Sequence, residues 1–309
     1  MGQTGSAAPA ADRVAVIGLG SMGSGMARSL LNAGFKVTGC DVNEAAVAAF
    51  VTAGGAGASS PAAAAEGAAV VVSVVLNAAQ TEAVLFGPGG CAEAMAPGSV
   101  FISSATMAPS AARDLAARLE ARGIHYLDAP ISGGAQRAAE GALTVLISGT
   151  PEAQAASSKA VEAMAAKVFP LGDAVGTAAG LKIVNQLLAG VHIAAAAEAM
   201  AFAEAHDLDL RTVYEVITSS AGNSWMFENR VPHILHEDYA PRSATDIFVK
   251  DLGIVLDIAR SDRIPVPLAS TALQSFLMTS AAGMGRDDDA SVFRLYRQIM
   301  DASGANKQK

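Results

Sequence analysis

The segment Val14-Ala15-Val16-Ile17 runs straight into Gly18-Leu19-Gly20-Ser21-Met22-Gly23 and then into a helix-compatible stretch to Ala33. An apolar strand, three glycines spaced G-x-G-x-x-G and a helix, in that order, leave little choice of fold. The first glycine permits a tight turn out of the strand, the second lets the backbone approach a bulky ligand, and the third allows helix and strand to pack closely. The helix N-terminus then points at the ligand, where its amides and dipole favour an anion. The pyrophosphate of a dinucleotide suits this geometry, and Gly18, Leu19, Gly20, Ser21, Met22 and Gly23 are expected to hold it. A second apolar strand, Phe35 to Cys40, ends in Asp41, about 20 residues on, where a carboxylate meets the adenosine ribose. Val42-Asn43-Glu44-Ala45 follows without an arginine to receive a 2′-phosphate, so the expected cofactor is NAD rather than NADP. A cap on the helix starting near Glu44 is a compatible second role for Asp41.

From Arg13 to about Gly172 short Val/Ile-rich runs alternate with alanine-rich stretches, the pattern of strand-helix units around a parallel sheet. The expected strands are 14–17, 36–40, 70–76, 99–103, 125–127, 143–148 and 167–171, the later ones with room to run antiparallel. The expected helices are 22–33, 44–53, 60–67, 79–85, 110–122 and 151–165. Beyond Gly176 the strand signal disappears, and a long apolar helix from about Ala178 to His206 opens an all-α region. The fold class is therefore α/β, a Rossmann dinucleotide-binding domain over 13–174 followed by an all-helical domain over 175–309, with residues 1–12 a disordered tail. The long helix, apolar on nearly every side through Leu187, Leu188, Val191 and Ile193, needs cover from other helices or a second subunit, so a homodimer or homotetramer is expected.

Composition narrows the function classes. A chain of 309 residues that is 51% hydrophobic has ample material for two cores. Charged and polar residues interrupt its apolar stretches short of the ~20 residues that cross a bilayer, so no membrane partner is expected. The first dozen residues lack the order of a signal peptide, and the cytoplasm is the expected compartment. A net charge of -8, without a Lys or Arg cluster, argues against nucleic acid. Cys40 and Cys91 sit in unrelated segments and suggest neither a disulfide framework nor a metal cluster. The five histidines form no ligand set, and Asp287-Asp288-Asp289 reads as a solvated turn. No metal is expected.

Two further motifs carry chemistry. Asp128-Ala129-Pro130-Ile131-Ser132-Gly133-Gly134 follows a strand, at the sheet edge where ligands collect in open α/β folds. The Ser132 hydroxyl and the backbone amides of Gly133 and Gly134 offer donors for a substrate carboxylate; an ordinary Ser-Gly-Gly connection is the alternative. Gly176 to Gln186 opens the long helix, and spacings of three and four place Lys182, Asn185 and Gln186 on one face. Apolar neighbours would desolvate Lys182 and lower its pKa toward neutrality, which suits proton exchange; a snorkelling structural lysine is the alternative.

Taken together, the glycine loop, the 128–134 motif, Gly176-x-x-x-Gly180-x-Lys182 and Phe248-Val249-Lys250-Asp251-Leu252 resemble the β-hydroxyacid dehydrogenase family, which includes 3-hydroxyisobutyrate dehydrogenase and tartronate semialdehyde reductase. The resemblance spans nearly the whole chain. It implies a Rossmann domain, a helical domain and an active site between them. It also implies that Lys182 is the acid/base and that Ser132, Gly133, Gly134, Asn185 and Gln186 bind substrate. Thr106 would lie against the nicotinamide ribose, Val75, Leu76 and Asn77 would contact the cofactor, and Lys250 would close the site near it. Two positions depart from the common pattern: Ala105, where relatives carry serine, and Gln186, where they carry asparagine, a place Asn185 can take. Arg137, where relatives acting on small apolar acids carry glycine, suits a polyhydroxy acid; a surface residue paired with Glu140 is the alternative. With the 222–235 and 246–254 segments, the pattern is most similar to the subgroup that oxidises C2 of L-threonate to 2-dehydro-L-erythronate. Reduction of tartronate or succinate semialdehyde, oxidation of 3-hydroxyisobutyrate, and a non-catalytic cofactor scaffold are the competing functions. Imine reductases, which replace the lysine, fit less well.

Overall fold

The computed structural model describes residues 10–303; residues 1–9 of the expected tail lie outside them. The chain forms two compact units, dividing between Lys182 and Ile183. The first strand, β1 (Ala10–Ile17), begins three residues inside the stretch expected to be tail. It is followed by α1 (Gly23–Asn32), β2 (Lys36–Cys40), α2 (Glu44–Thr52), β3 (Ala56–Gly57), α3 (Pro61–Ala65), β4 (Ala68–Ser73) and α4 (Ala78–Phe86). Next come β5 (Val100–Ser103), α5 (Pro109–Glu120), β6 (His125–Asp128), β7 (Ile131–Ser132), α6 (Gly134–Ala139), β8 (Leu143–Ile147), α7 (Pro151–Met164) and β9 (Ala165–Pro170).

Six strands form one parallel sheet in the order β3-β2-β1-β4-β5-β6, the doubly wound arrangement that the strand-helix alternation predicts. Its central strands β1, β4 and β5 are apolar at consecutive positions because both faces are covered. Val14, Val16, Val72, Ile102 and Leu127 belong to one core, and Ala15, Ile17, Val71, Phe101 and Tyr126 to the other. Burying each large apolar side chain contributes about 1.5–3 kcal/mol. The last three strands form a separate sheet, β7-β8-β9, with β7 antiparallel to β8 and β8 parallel to β9. The two-residue β3 and β7 and the short α6 are too brief to leave a periodicity in the sequence.

The second unit is helical. The helix α8 (Thr177–Ala205) enters it from the first unit, followed by α9 (Leu210–Thr218), α10 (Trp225–Leu235), α11 (Thr245–Asp262), α12 (Pro267–Thr279) and α13 (Val292–Ser303). Ile193, Met200, Val231, Leu252, Phe276 and Phe293 fill its core. At 29 residues α8 is long and apolar enough to cross a membrane, which the sequence reading did not expect of any segment. More than half of its most apolar window is buried inside the protein. The 287–289 triplet departs from expectation as well. Asp288 and Asp289 are wholly buried, because α10 supplies partners: His233 Nδ1 lies 2.8 Å from Asp288, and Arg230 donates to both Asp289 oxygens at 2.6 and 3.1 Å.

Candidate active site

Strand register builds the site's frame. Cys40, Ile17, Ser73, Ser103 and Asp128 are direct partners across five adjacent strands. The chain therefore leaves β2, β1, β4, β5 and β6 along one edge, and Asp41, the glycine loop, Val75–Asn77, Thr106 and the 129–134 segment all follow it.

Within the glycine loop, Gly18 has φ +95°, and a Cβ there would stand 2.3 Å from the Val74 carbonyl oxygen. A Cβ on Gly23 would lie 1.8 Å from the Gly18 oxygen. Both glycines are demanded by the protein's own packing. Leu19 is buried in the core, Ser21 is exposed and Met22 half-buried. Met22 precedes α1 without a side-chain cap; the Ser24 amide donates to the Gly20 carbonyl at 3.0 Å, which leaves the neighbouring Gly23 and Gly25 amides of the first turn for an external acceptor. Asp41 lies beneath the loop: one carboxylate oxygen accepts from the Leu19 amide at 2.6 Å, the other from the Asn43 amide at 2.7 Å. The cap of α2 is Asn43, which accepts from the Ala45 amide, not Asp41. Each Asp41 oxygen retains acceptor capacity for a hydroxyl.

Val75 packs next to Gly18, while the Leu76 side chain is exposed. Asn77 caps α4, accepting from the Gln80 amide, and Gln80 accepts from the Leu76 amide, both at 2.9 Å. Thr106 is half-buried in the stretch joining β5 to α5.

The 128–134 motif is not a simple turn. Ile131 and Ser132 pair with β8, and Gly133 and Gly134 then enter α6 with φ of +142° and +81°, values that L side chains rarely adopt. Ser132 is exposed. Arg137 is exposed, and its stem packs where a Gly133 Cβ would project. Glu140 accepts from Gln136, and among the described residues no carboxylate pairs with Arg137. The expected Arg137–Glu140 alternative is therefore absent.

Lys182, 9% exposed, donates from Nζ to the Ile131 carbonyl at 3.0 Å. Its amine is thus drawn inward at the threshold of Ser132-Gly133-Gly134 rather than turned to solvent. The first turn of α8 is anchored in the same unit. Asp128 Oδ2 accepts from the amides of Ala179 and Gly176 at 2.8 and 3.1 Å. Burial pushes the Asp128 carboxyl above the usual aspartate range, against the opposing pull of those amides and of Ser148. This packing explains why the unit boundary falls after Lys182 rather than near residue 174: Ala179 belongs to the core beneath the sheet.

In the second unit, Asn185, Gln186 and Lys250 are joined through a residue the sequence reading left without a role. Gln186 donates to Asp251 Oδ2 at 2.5 Å and accepts from Asn185 at 2.9 Å, while Lys250 pairs with the other Asp251 oxygen. Gln186 is buried and both ends of its amide are engaged; Asn185 is exposed.

Residues 13–172 match the family described as the NAD binding domain of 6-phosphogluconate dehydrogenase. Residues 176–296 match that described as NAD-binding of NADP-dependent 3-hydroxyisobutyrate dehydrogenase. An L-threonate dehydrogenase of Cupriavidus necator is 53% identical, covering 93% of this chain and 96% of the relative. One of Pectobacterium atrosepticum is 47% identical, covering 93% and 94%. The chain belongs to the β-hydroxyacid dehydrogenase family. A crystal structure of a 3-hydroxyisobutyrate dehydrogenase from Salmonella typhimurium superposes on this β-hydroxyacid dehydrogenase with TM-score 0.86 at 47% identity, covering 92% of this chain and 99% of that one.

A β-hydroxyacid dehydrogenase oxidises a hydroxyacid with a nicotinamide dinucleotide, and the loop fits one. Gly20 is the telling position: a Cβ there would meet nothing within 4 Å, so internal packing does not require glycine, whereas the close approach of a pyrophosphate does.

Gly25 was missed by the sequence reading although it stands beside the fingerprint. A Cβ there would lie 2.6 Å from the Ala139 amide nitrogen and 2.8 Å from the Ala138 carbonyl carbon, so this glycine lets α6 rest directly on α1. Ser29 Oγ donates to the Ala138 carbonyl at 2.9 Å in the same seam. Gly25→Ala is expected to push α6 off α1, at a cost of about 1–3 kcal/mol. A lowered melting temperature with a several-fold higher KM for hydroxyacid would show it; unchanged KM would separate α6 from substrate binding.

Proposed function

We propose that this dehydrogenase oxidises C2 of L-threonate to 2-dehydro-L-erythronate with NAD, and that Lys182 is its acid/base. The observation that carries the chemistry is the buried Lys182 amine bonded to the Ile131 carbonyl beside Ser132-Gly133-Gly134. The substrate reading is supported by the two L-threonate dehydrogenases named above and by Arg137, an exposed cation near that segment that no carboxylate pairs with among the described residues.

The Ser132 hydroxyl and the Gly133 and Gly134 amides hold the substrate carboxylate, with Arg137 adding charge on the same side. Neutral Lys182 accepts the C2 hydroxyl proton on Nζ, and its bond to Ile131 orients the lone pair. The ammonium so formed stabilises negative charge developing on the substrate oxygen. A bound nicotinamide supplies the hydride acceptor at its C4. Gly18 to Gly23 hold the pyrophosphate and Asp41 the adenosine ribose. Val75, Leu76, Asn77, Thr106 and Lys250 complete the cofactor contacts. Asn185, with its exposed amide, is the better substrate donor than Gln186, which Asp251 occupies.

A second reading, oxidation of 3-hydroxyisobutyrate, is favoured by the name of the Salmonella neighbour. Steady-state rates over C3 to C5 hydroxyacids, with NAD and NADP each supplied, decide between them. The kcat/KM for L-threonate is expected to exceed that for 3-hydroxyisobutyrate by about 100-fold or more, because a site built for extra hydroxyls leaves its polar groups unpaired on an apolar analogue. NAD is expected to be preferred, since Asp41 repels a 2′-phosphate. Faster turnover of the apolar 3-hydroxyacid would overturn the L-threonate assignment.

We also propose a cytoplasmic homodimer or homotetramer. Val184, Leu188 and Phe202 are exposed along one side of α8, an apolar face that a second copy would cover. Cys40 and Cys91 are free, buried thiols, as a reducing compartment allows. Light scattering on the eluting protein reads the oligomer.

A further inference from the structure

An acid/base lysine must hold its amine in one place, although four rotatable bonds separate Nζ from the backbone. Two chain segments define that place. The start of α8 carries the Lys182 backbone, and the stretch after β6 carries the Ile131 carbonyl that accepts from Nζ at 3.0 Å. One side chain grips both. Asp128 ends β6, three residues before Ile131, and is 1% exposed. Its Oδ2 accepts from the amides of Ala179 at 2.8 Å and Gly176 at 3.1 Å, and from the Ser148 hydroxyl at 3.3 Å. Ser148 Oγ in turn accepts from the Ala178 amide at 3.0 Å.

Three amides at the head of α8 therefore end on the Asp128–Ser148 pair. Reciprocal backbone bonds of 3.0 and 2.9 Å between those two residues tie the pair to the strand ends. The carboxylate also stands where the helix dipole favours negative charge. Ala179 and Lys182 are three residues apart and share a side of the helix, so a shift of the first turn moves the lysine with it.

We propose that Asp128 is a positioning residue for the reaction: through the Gly176 and Ala179 amides it holds α8 in the one placement where the Lys182 amine meets the Ile131 carbonyl. The inference rests on the acid/base reading of Lys182, and the test separates the two. In the full-length enzyme with NAD and L-threonate, Asp128→Asn keeps the shape and one acceptor oxygen, whereas Asp128→Ala removes every bond. The kcat is expected to fall about 10-fold in the first and about 100-fold in the second, as sub-ångström to ångström misplacement of a catalytic group does. The KM should stay within about threefold, and the pH dependence of kcat should be displaced, because the environment of the amine has changed.

In a Lys182→Met background, Asp128→Asn should change residual turnover by less than about twofold, since its effect runs through the amine. Additive losses there, or an unmoved pH profile, would mark a merely structural role and overturn the proposal. If Asp128→Ala does not fold, Asp128→Asn and Ser148→Ala decide it. Ser148→Ala should lower kcat about 3- to 10-fold with the same displacement, and wild-type behaviour in both counts against the proposal. An inactive Lys182→Met beside wild-type Asp128 variants removes only the positioning role; an active Lys182→Met removes the acid/base reading and this inference with it.

Discussion

Lys182→Met is expected to lower kcat about 1000-fold, within the range that general acid–base catalysis supplies, while leaving the NAD dissociation constant within about threefold. Methionine keeps the length and apolar volume of the lysine stem, so α8 retains its packing. What disappears is the nitrogen that donates to the Ile131 carbonyl and takes the substrate proton. Steady-state kinetics and a fluorescence titration with NAD measure the two quantities separately. Turnover within tenfold of wild type, with NAD still bound, would remove Lys182 from the chemistry. A parallel loss of NAD binding would point to damage reaching the glycine loop.

The largest effect on stability is expected in the second unit. Arg230→Leu should destabilise the helical unit by about 3–5 kcal/mol, the usual cost of leaving one member of a buried ion pair alone. Asp289 is wholly buried and accepts two bonds from Arg230, and the charged neighbour Asp288 is one residue away. Adding Asp289→Leu should recover most of the loss, because two apolar side chains need no partner there. Denaturant unfolding followed by circular dichroism compares the three proteins. A single variant as stable as the parent would show that water reaches Asp289.

Much of the first unit was legible in advance because its sequence signals are local. The strand-glycine-helix order at 14–33 and the two-sided apolar runs at 70–73 and 100–103 follow from neighbouring residues alone. Lys182 was legible as a polar intrusion in an apolar helix. Its desolvation followed from its apolar neighbours, but its partner did not, since the carbonyl it meets is 51 residues away. The misread features share that property. The 287–289 triplet resembles a solvated turn until Arg230 and His233 arrive from α10. Asp128 and Asp251 stood inside the quoted motifs, yet their partners, the α8 amides and Gln186, lie 48 to 65 residues away. Of the two roles expected of Asp41, capping α2 falls to Asn43, and the bond Asp41 accepts from the Leu19 amide was hidden for the same reason, its donor being 22 residues away.

The aligned row of strand ends from Cys40 to Asp128 has an architectural corollary. Exposed side chains on the connections along that edge, such as Ser132 and Arg137, can be exchanged to suit another acid without disturbing the scaffold, whereas inserting a single residue inside one strand would shift its exit by about 3.3 Å and flip its side chains between layers. Redesign of substrate choice therefore belongs in the connections, and the lengths of the strands set how finely it can be tuned.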